Sequence, residues 1–160
     1  MLKVANSVNV GPAFYGNTSD VISMQLIEGH SLPEWLPTLT GRGRRLRFRS
    51  VAGNLFDQCL RLDNAGLDHG ELSRAHKNVC VTEKERPVIL DFESASRKRS
   101  PSNLTCIAQY LFLGGGFAKR VRRITGPVDS AELKRVLRSH KHDKSPDAFH
   151  RLQDLLKLQC

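Results

Sequence analysis

Residues 69–79 read HGELSRAHKNV, and residues 90–96 read LDFESAS. Between them lie an apolar run that starts at Val79, the polar stretch EKERP at 83–87, and a second apolar run at 88–90. Two short apolar runs separated by turn-forming residues predict a β-hairpin. Pro87 is tolerated at the start of a strand. This hairpin, with the polar residues at its open end, decides both the fold and the chemistry that the sequence predicts.

Polar side chains flank both strands of the predicted hairpin. We expect Thr82 to pair near Val88 and Val79 near Asp91, which places Asn78 beside Asp91 or Phe92 at the open end. Neighbouring strands lie about 5 Å apart, so the amide and the carboxylate converge. Such oxygen ligands suit Mg²⁺, which is commonly held by one or two carboxylates together with phosphate oxygens. Glu71, on the preceding loop, can approach the same point as a proton acceptor.

The remaining sequence predicts strands near the N-terminus and helices both before and after this segment. Residues 1–10 and 20–28 read as strands joined by the turn-rich stretch GPAFYGNTS. Apolar residues spaced by three and four predict an amphipathic helix from about 45 to 63. Further helices are expected from Asn103, over 117–124, after a capping box of Asp129 and Glu132, and from Ser145 with Pro146 as its first residue.

The length of 160 residues predicts one domain, or one with a small appendage. No apolar run approaches the roughly 20 residues of a membrane span, and MLKVANSVNV lacks the pattern of a signal peptide. We therefore expect a cytoplasmic protein with no membrane contact. The cysteines show neither a CxxC pair nor zinc-site spacing, so we expect them to be reduced: Cys59, Cys80, Cys106 and Cys160.

The chain is strongly basic, with a formal net charge of +9. The basic residues cluster in GRGRRLRFR at 41–49, RKR at 97–99 and KRVRR at 119–123. Such a surface favours polyanions such as RNA, DNA or nucleotides. The alternative is a solvated surface without a partner, because no aromatic-interleaved RNA motif accompanies the arginines. The sequence leaves both interpretations open.

The two stretches quoted above, 69–79 and 90–96, resemble the catalytic and metal-binding loops of protein-kinase-like phosphotransferases, whose pattern is H-R-D-L-x-x-x-N followed by D-F-G. The His-Gly form is similar to the RIO kinases and to the small kinase of the KEOPS tRNA-modification complex. DHGELSRAHKNV, VILDFESAS and QYLF together resemble short archaeal proteins described as predicted serine/threonine protein kinases. The resemblance implies an α+β, protein-kinase-like fold. Residues 1–28 would hold remnant N-lobe strands and the hinge, and 29–160 a mostly helical C-lobe with the catalytic β-hairpin.

The resemblance also implies a role for each residue of the set. Glu71 takes the position of the catalytic base, Asn78 that of a metal-binding amide, and Asp91 that of the metal-chelating carboxylate, with ATP and Mg²⁺ as cofactors. Three departures from the pattern stand out. Glu replaces Asp at 71, and Glu93 replaces the glycine of D-F-G. Asn78 follows the acid by seven residues rather than five, where His76 falls, so either Asn78 or His76 could be the ligand.

The stretch MQLIEGHSL resembles the hinge that holds adenine. By this resemblance Met24 is the gatekeeper, and the backbone carbonyl of Gln25 and N–H of Ile27 face the base. Residues before Met24 include no G-x-G-x-x-G loop, and Lys3 is their only lysine. The resemblance therefore predicts a largely missing N-lobe. A longer natural chain, a degenerate kinase-like protein and a partner chain that supplies these parts all remain open explanations.

Two functions follow from these observations. The first is an ATP-dependent serine/threonine protein kinase that transfers a phosphoryl group from Mg-ATP to a protein hydroxyl. If the Gly-rich loop and the strand lysine are required, the chain is inactive without them. The second is a non-catalytic kinase-like module that binds RNA, the ribosome or a protein partner through its basic surface. No motif identifies the protein substrate.

Overall fold

The computed structural model describes residues 1–142 and 146–158. The elements are, in chain order, α1 Leu2–Asn6, β1 Phe14–Asn17, β2 Ile22–Met24, β3 His30–Ser31, α2 Leu32–Trp35, α3 Arg44–Asn64, α4 Ala75–Asn78, β4 Val79–Val81, β5 Pro87–Ile89, α5 Asn103–Ala108, α6 Gly115–Thr125, α7 Ser130–His142 and α8 Pro146–Leu156. The strands form two antiparallel sheets, β1–β2 and β3–β4–β5. The α+β class is therefore confirmed, with helices as the larger part.

The central helix α3 confirms the predicted helix over 45–63. Its buried face carries Phe48, Val51, Ala52, Leu55, Phe56, Cys59 and Leu62. The rings of Phe48 and Phe56 both meet Phe112 edge-on, with centroids 6.2 Å and 6.3 Å apart. Phe112 belongs to a single π-helical turn, Gln109–Leu113, which continues α5. The core therefore lies between α3 and the segment that begins at α5.

The first ten residues contain a helix rather than the predicted strand. α1 buries Ala5, and partly buried apolar side chains around it pack against the core: Leu2, Val4 and Val8. Spacings of three and four among these positions suit a helical turn as well as a short strand, so periodicity cannot separate the two in so short a segment. Asn6 then joins α1 to β1, because its Oδ1 accepts a hydrogen bond from the Phe14 amide at 2.8 Å.

The N-terminal sheet is shorter than predicted and begins elsewhere. β1 lies inside the stretch GPAFYGNTS that was expected to be a turn. Of the predicted strand over 20–28, Ile22–Met24 form β2, and one further backbone bond joins Gln25 to Ala13. Phe14 lies opposite Met24, with an irregularity before Gly16. Gly, Pro and Asn are uncommon in strands, which is why composition alone misplaced β1. The surface of this sheet exposes five large apolar side chains: Tyr15, Val21, Ile22, Met24 and Leu26.

β4 and β5 form the predicted hairpin, but its register differs from the prediction. Cys80 lies opposite Val88, where the sequence suggested Thr82. The Thr82 amide instead donates to the Arg86 carbonyl at 3.0 Å, and Glu85 adopts a left-handed φ of 56°. A three-residue loop whose last residue is left-handed is a common hairpin connection. The turn is therefore tighter than predicted, and the strands shift by two residues.

The closed end of this hairpin is attached to α3. Nε of Arg47 donates to both carboxylate oxygens of Glu85, at 2.9 Å and 3.0 Å, and Nε1 of Trp35 lies 3.4 Å from the same carboxylate. The hydrogen bonds from the Arg47 guanidinium lower the pKa of Glu85. With the turn held in this way, the open end of the hairpin points towards the loops before β4 and after β5.

The C-terminal helices follow their predicted signals. Oδ1 of Asp129 accepts hydrogen bonds from the Ala131 and Glu132 amides at 2.9 Å and 3.0 Å, which confirms the Asp129 half of the predicted capping box. The Glu132 carboxylate pairs with Arg135. α6 extends the helix predicted over 117–124 by a few residues. α8 begins at Pro146, as expected. Ser145, its predicted cap, lies outside the described residues.

Cys59, Cys80 and Cys106 are free thiols in the described part of the chain, and Cys160 lies outside it. Burial raises the pKa of Cys59 well above its ordinary value, so it stays a thiol. Of the helices in residues 1–142 and 146–158, none combines the length with the apolar character that a membrane crossing requires.

Candidate functional site at the open end of the hairpin

The hairpin brings two of the predicted ligands to one end. The Leu90 amide donates to the Asn78 carbonyl at 2.8 Å, so the ladder continues one pair beyond the strands and Asp91 follows at once. Asn78 therefore lies opposite Leu90 rather than Asp91, which corrects the predicted pairing. Nδ2 of Asn78, which is buried, donates to the backbone carbonyl of Glu71 at 3.1 Å. The predicted amide thus joins the acid-bearing loop to the hairpin.

His69 organises the loop that carries Glu71. Its ring is wholly buried, with Nε2 2.8 Å from the Leu90 carbonyl and Nδ1 3.4 Å from the Glu71 amide. The ring also packs against Phe92, with centroids 5.0 Å apart. Burial lowers the pKa of His69, opposed by the hydrogen bond to Leu90. A neutral ring that donates from Nε2 therefore connects the loop before β4 to the loop after β5.

The carboxylate of Glu71 accepts a hydrogen bond from a serine hydroxyl. Its Oε1 accepts a hydrogen bond from Oγ of Ser94 at 2.7 Å. This bond is the main cause that lowers the pKa of Glu71, and the Asn78 amide contributes, whereas burial acts in the opposite direction. Glu71 is therefore ionised at neutral pH. An ionised carboxylate within hydrogen-bond distance of an alcohol has the geometry of a general base.

Asp91 turns the chain sharply at the end of β5. Its φ of 59° is left-handed, a conformation that Asp tolerates better than most residues. Oδ1 of Asp91 accepts a long hydrogen bond from the Glu93 amide at 3.4 Å. The exposed side chain lines a cleft of about 520 Å³, which it shares with Met1, Leu2, Pro12, Ile22, Met24, Phe92 and Glu93. The carboxylate thus faces a largely apolar wall formed by α1 and β2.

The predicted hinge residues divide between two cavities. Met24 lines the cleft that contains Asp91. Gln25 and Ile27 line a neighbouring cavity of about 350 Å³, beside the turn of the β4–β5 hairpin. The Gln25 amide donates to the Ala13 carbonyl at 2.8 Å, which extends the β1–β2 pairing. Of the three, Met24 is therefore the residue placed with Asp91.

His76, the second ligand candidate, lies on a different face. Its exposed ring stacks on Tyr110 with centroids 6.3 Å apart, and Tyr110 stacks on Phe117 at 4.9 Å. Burial raises the pKa of Tyr110 to about 12. These rings line a groove of about 750 Å³ that the sequence did not predict. Asn78, and not His76, is the candidate that the structure brings to the open end of the hairpin.

Asn103 has a role that the sequence did not reveal. Its amide and its Nδ2 donate to Oδ1 of Asp63 at 2.9 Å and 2.7 Å, and Nδ2 also donates to the Leu67 carbonyl at 2.7 Å. Its Oδ1 accepts from the His69 amide at 2.9 Å. Asn103 is the first residue of α5, and the N-cap position before it belongs to Ser102, whose side chain makes no capping hydrogen bond. A polar residue at a helix start is usually interpreted as a cap. The neighbouring sequence does not indicate that Asn103 is a buried hub, that is, a side chain whose hydrogen bonds join α3, α5 and the loop that carries Glu71.

The loop after Asp91 is held against the Glu71 loop. Asp68 and Ser96 form an antiparallel bridge. Nε of Arg99 donates to Oδ2 of Asp68 at 2.7 Å, and its Nη2 donates to the Ser94 carbonyl at 2.6 Å. Gly70, with φ of 87°, leaves the space for this contact, because a Cβ there would lie 2.5 Å from the Arg99 guanidinium. The two loops therefore form one unit.

The donor set at the hairpin end suits Mg²⁺ only in part. Asn78 and Asp91 offer an amide and a carboxylate, and Mg²⁺ commonly completes its shell with substrate phosphate oxygens and water. In residues 1–142 and 146–158 no group of three or more His, Cys, Asp or Glu side chains is arranged as metal ligands. Such a group is not required when phosphate supplies the other oxygens.

Two comparisons with known proteins add nothing to this geometry. No protein-family model matches the chain, and no curated protein is significantly similar to it. The function is therefore argued from the residues at the open end of the hairpin.

Proposed function

We propose that this chain is a serine/threonine protein kinase with a protein-kinase-like fold, which transfers a phosphoryl group from Mg-ATP to a protein hydroxyl. The observation that supports it most is the grouping of Glu71, Asn78 and Asp91 at one end of the β4–β5 hairpin. Phosphoryl transfer depends mainly on positioning and charge stabilisation. An acid that can accept a proton and two oxygen donors for a hard cation are the parts that this chemistry needs.

Each residue has a defined part in this proposal. Glu71, ionised and within reach of a hydroxyl, accepts the proton of the acceptor alcohol. Asp91 and Asn78 would hold Mg²⁺, which would neutralise charge on the transferred phosphate. His69 keeps the two loops in register through its contacts with Leu90 and Glu71. The apolar side chains across the cleft offer a surface for the flat adenine base, with Met24 among them.

The residues before Met24 offer the phosphates of ATP little cationic support. Lys3, the only lysine before Met24, places its ammonium 4.7 Å from the centre of the Phe14 ring, in a cation–π contact. Phosphate positioning then depends on Mg²⁺ with Asp91 and Asn78. We therefore expect slow transfer by this chain alone.

Exchange of Glu71 for glutamine is expected to lower phosphoryl transfer by about 100-fold or more, because general-base catalysis typically contributes factors of 10² to 10⁴. ATP affinity should not change. The test is transfer from γ-labelled ATP, with Mg²⁺, to a mixed library of serine and threonine peptides. Since the pKa of Glu71 is lowered, its protonation should not reduce the rate until the pH falls below the ordinary glutamate range of about 4.3.

Glu83→Gln serves as the matched control, because Glu83 is an exposed acid in the turn at the other end of the hairpin. It should leave the rate within about twofold of the unaltered chain, in line with the small effects of surface changes. Equal losses in the two variants would contradict the role of Glu71 as base, as would an acidic limb that begins near pH 7.

A second candidate function, binding of RNA, is favoured by the meeting of two basic clusters. Nε of Arg45 donates to the Ile124 carbonyl at 3.2 Å, so the start of α3 lies beside the end of α6. The shared surface forms a shallow groove of about 610 Å³, lined by Gly41, Arg42, Arg44, Arg45, Leu46 and Ile124. Arginines gathered in this way attract the phosphate backbone of RNA and release its counterions.

The double change Arg42→Glu with Arg44→Glu should weaken binding to transfer RNA at low salt by about tenfold or more. Each lost phosphate contact should also reduce the slope of log K against log salt by about one. Fluorescence anisotropy across a salt series measures both quantities. Arg97→Glu with Lys98→Glu changes the net charge equally on another exposed cluster. Equal losses in the two pairs, or no binding by the unaltered chain, would contradict a specific site.

A further inference from the structure

The hydroxyl nearest to the candidate base belongs to the chain itself. Oγ of Ser94 donates to Oε1 of Glu71 at 2.7 Å, and Ser94 is exposed on the loop that follows Asp91. This is the contact that a general base makes with the alcohol that it deprotonates. Ser94 therefore occupies the place of an acceptor substrate.

The loop holds Ser94 in this place. Its carbonyl accepts a hydrogen bond from Nη2 of Arg99 at 2.6 Å, and Nε of Arg99 is paired with Asp68. The Ala95 amide donates to the Phe92 carbonyl at 3.3 Å, which closes a turn around Ser94. Because Ser94 is three residues after Asp91, their Cα atoms can be at most about 11 Å apart. Ser94 therefore lies on the same short loop as Asp91, the residue that would hold the metal in the proposed function.

The neighbouring serines do not share this arrangement. Oγ of Ser96 accepts a hydrogen bond from the Lys98 amide at 3.1 Å. Oγ of Ser102 lies 3.7 Å from Sγ of Cys106, where it faces the start of α5. Of the serines in the described segment 94–102, Ser94 is the one whose hydroxyl meets the Glu71 carboxylate. The chain thus offers one acceptor with an adjacent base.

We infer that Ser94 is an autophosphorylation site that the chain modifies in cis, an inference that rests on the proposed function. Oγ of Ser94 attacks the γ-phosphorus of Mg-ATP, and an O–P bond forms. The bond between that phosphorus and the β–γ bridging oxygen breaks, so ADP leaves. The hydroxyl proton passes to the Glu71 carboxylate.

Phosphorylation of Ser94 would remove the acceptor hydroxyl and break its hydrogen bond to Glu71. A phosphate on Ser94 carries about −1.5 to −2 charges at neutral pH. It would be repelled by Glu71, so the hydrogen bond between the two side chains cannot persist. The basic cluster on the same loop, Arg97, Lys98 and Arg99, can receive the displaced phosphate. Glu71 is then free to act on a hydroxyl from another protein, and one phosphate per chain is the expected limit.

The test is incubation of the full chain with γ-labelled ATP and Mg²⁺, followed by intact-mass measurement and site mapping by tandem mass spectrometry. We expect up to one phosphate per chain, at position 94, with a first-order rate constant that stays the same over a tenfold dilution of protein. Ser94→Ala should lose the label. Ser94→Thr should recover it as phosphothreonine at the same position, and Ser96→Ala should retain it.

The outcomes separate this inference from the proposed function. Transfer to library peptides without phosphate at position 94 would overturn the inference and leave the proposed function intact. Phosphate at position 94 whose rate rises in proportion to protein concentration would overturn modification in cis. Failure to bind Mg-ATP, together with no transfer to any acceptor, would overturn both.

Discussion

Replacement of Asn103 by alanine is expected to lower the free energy of unfolding by about 3 to 5 kcal/mol, a loss at the upper end of the range for single substitutions. The side chain is buried and serves three groups at once: the carboxylate of Asp63, the carbonyl of Leu67 and the amide of His69. Alanine keeps the backbone amide that donates to Asp63, but it loses the side-chain bonds to the Leu67 carbonyl and the His69 amide. Each buried group left without its partner costs about 1 to 3 kcal/mol, so the losses accumulate.

Urea unfolding followed by circular dichroism measures this change. Asn17→Ala is the matched control, because Asn17 is exposed in β1 and its side chain reaches only the Thr18 carbonyl, at 3.0 Å. We expect the control to stay within about 0.5 kcal/mol of the unaltered chain. A loss below about 1 kcal/mol for Asn103→Ala would show that the hub does not support the fold as described.

Asp91→Asn is expected to remove the magnesium dependence of ATP binding and to lower phosphoryl transfer by about 100-fold, which corresponds to roughly 2.7 kcal/mol of transition-state stabilisation. The change keeps the size of the side chain and removes its charge, on which a hard cation depends. Asparagine tolerates the left-handed φ of 59° at this position. The free energy of unfolding should therefore remain within about 0.5 kcal/mol of its original value.

Isothermal titration with ATP, in the presence of Mg²⁺ or of a chelator, measures the first effect, and transfer to library peptides measures the second. Asp91→Ala removes the charge and also strains the backbone, because alanine is disfavoured in the left-handed region by about 1 kcal/mol. It should lose stability as well as binding. If the Asn variant binds Mg-ATP as tightly as the unaltered chain, Asp91 is not the metal ligand and the proposed kinase site is wrong.

The long and strongly periodic elements of the fold could be predicted from the sequence. α3 buries apolar residues on one face over many turns, so its extent was clear. α1 and β1 could not be recognised, because a segment of four or five residues fits more than one period. The choice between helix and strand there depends on tertiary contacts such as the bond from Asn6 to Phe14. The division of the chain at residue 28 stays a prediction.

The candidate site was partly predictable. The order of Glu71, Asn78 and Asp91 around a hairpin was enough to expect them at one end, although the tight turn at Glu85 shifted the register by two residues. The contact between Ser94 and Glu71 was not predictable. It depends on a loop held by the side chain of Arg99, and such a loop has no periodicity to reveal its path. The role of Asn103 was missed for a different reason, because a polar residue at a helix start is usually a cap.

The hydrogen bonds of Asn103 join residues that are far apart in the chain, 34 positions from His69 and 40 from Asp63. Contacts of such separation cost more loop-closure entropy than local contacts. The His69 amide meets Asn103 only where α5 is docked on α3. Undocking of α5 would therefore remove a bond that fixes the loop carrying Glu71.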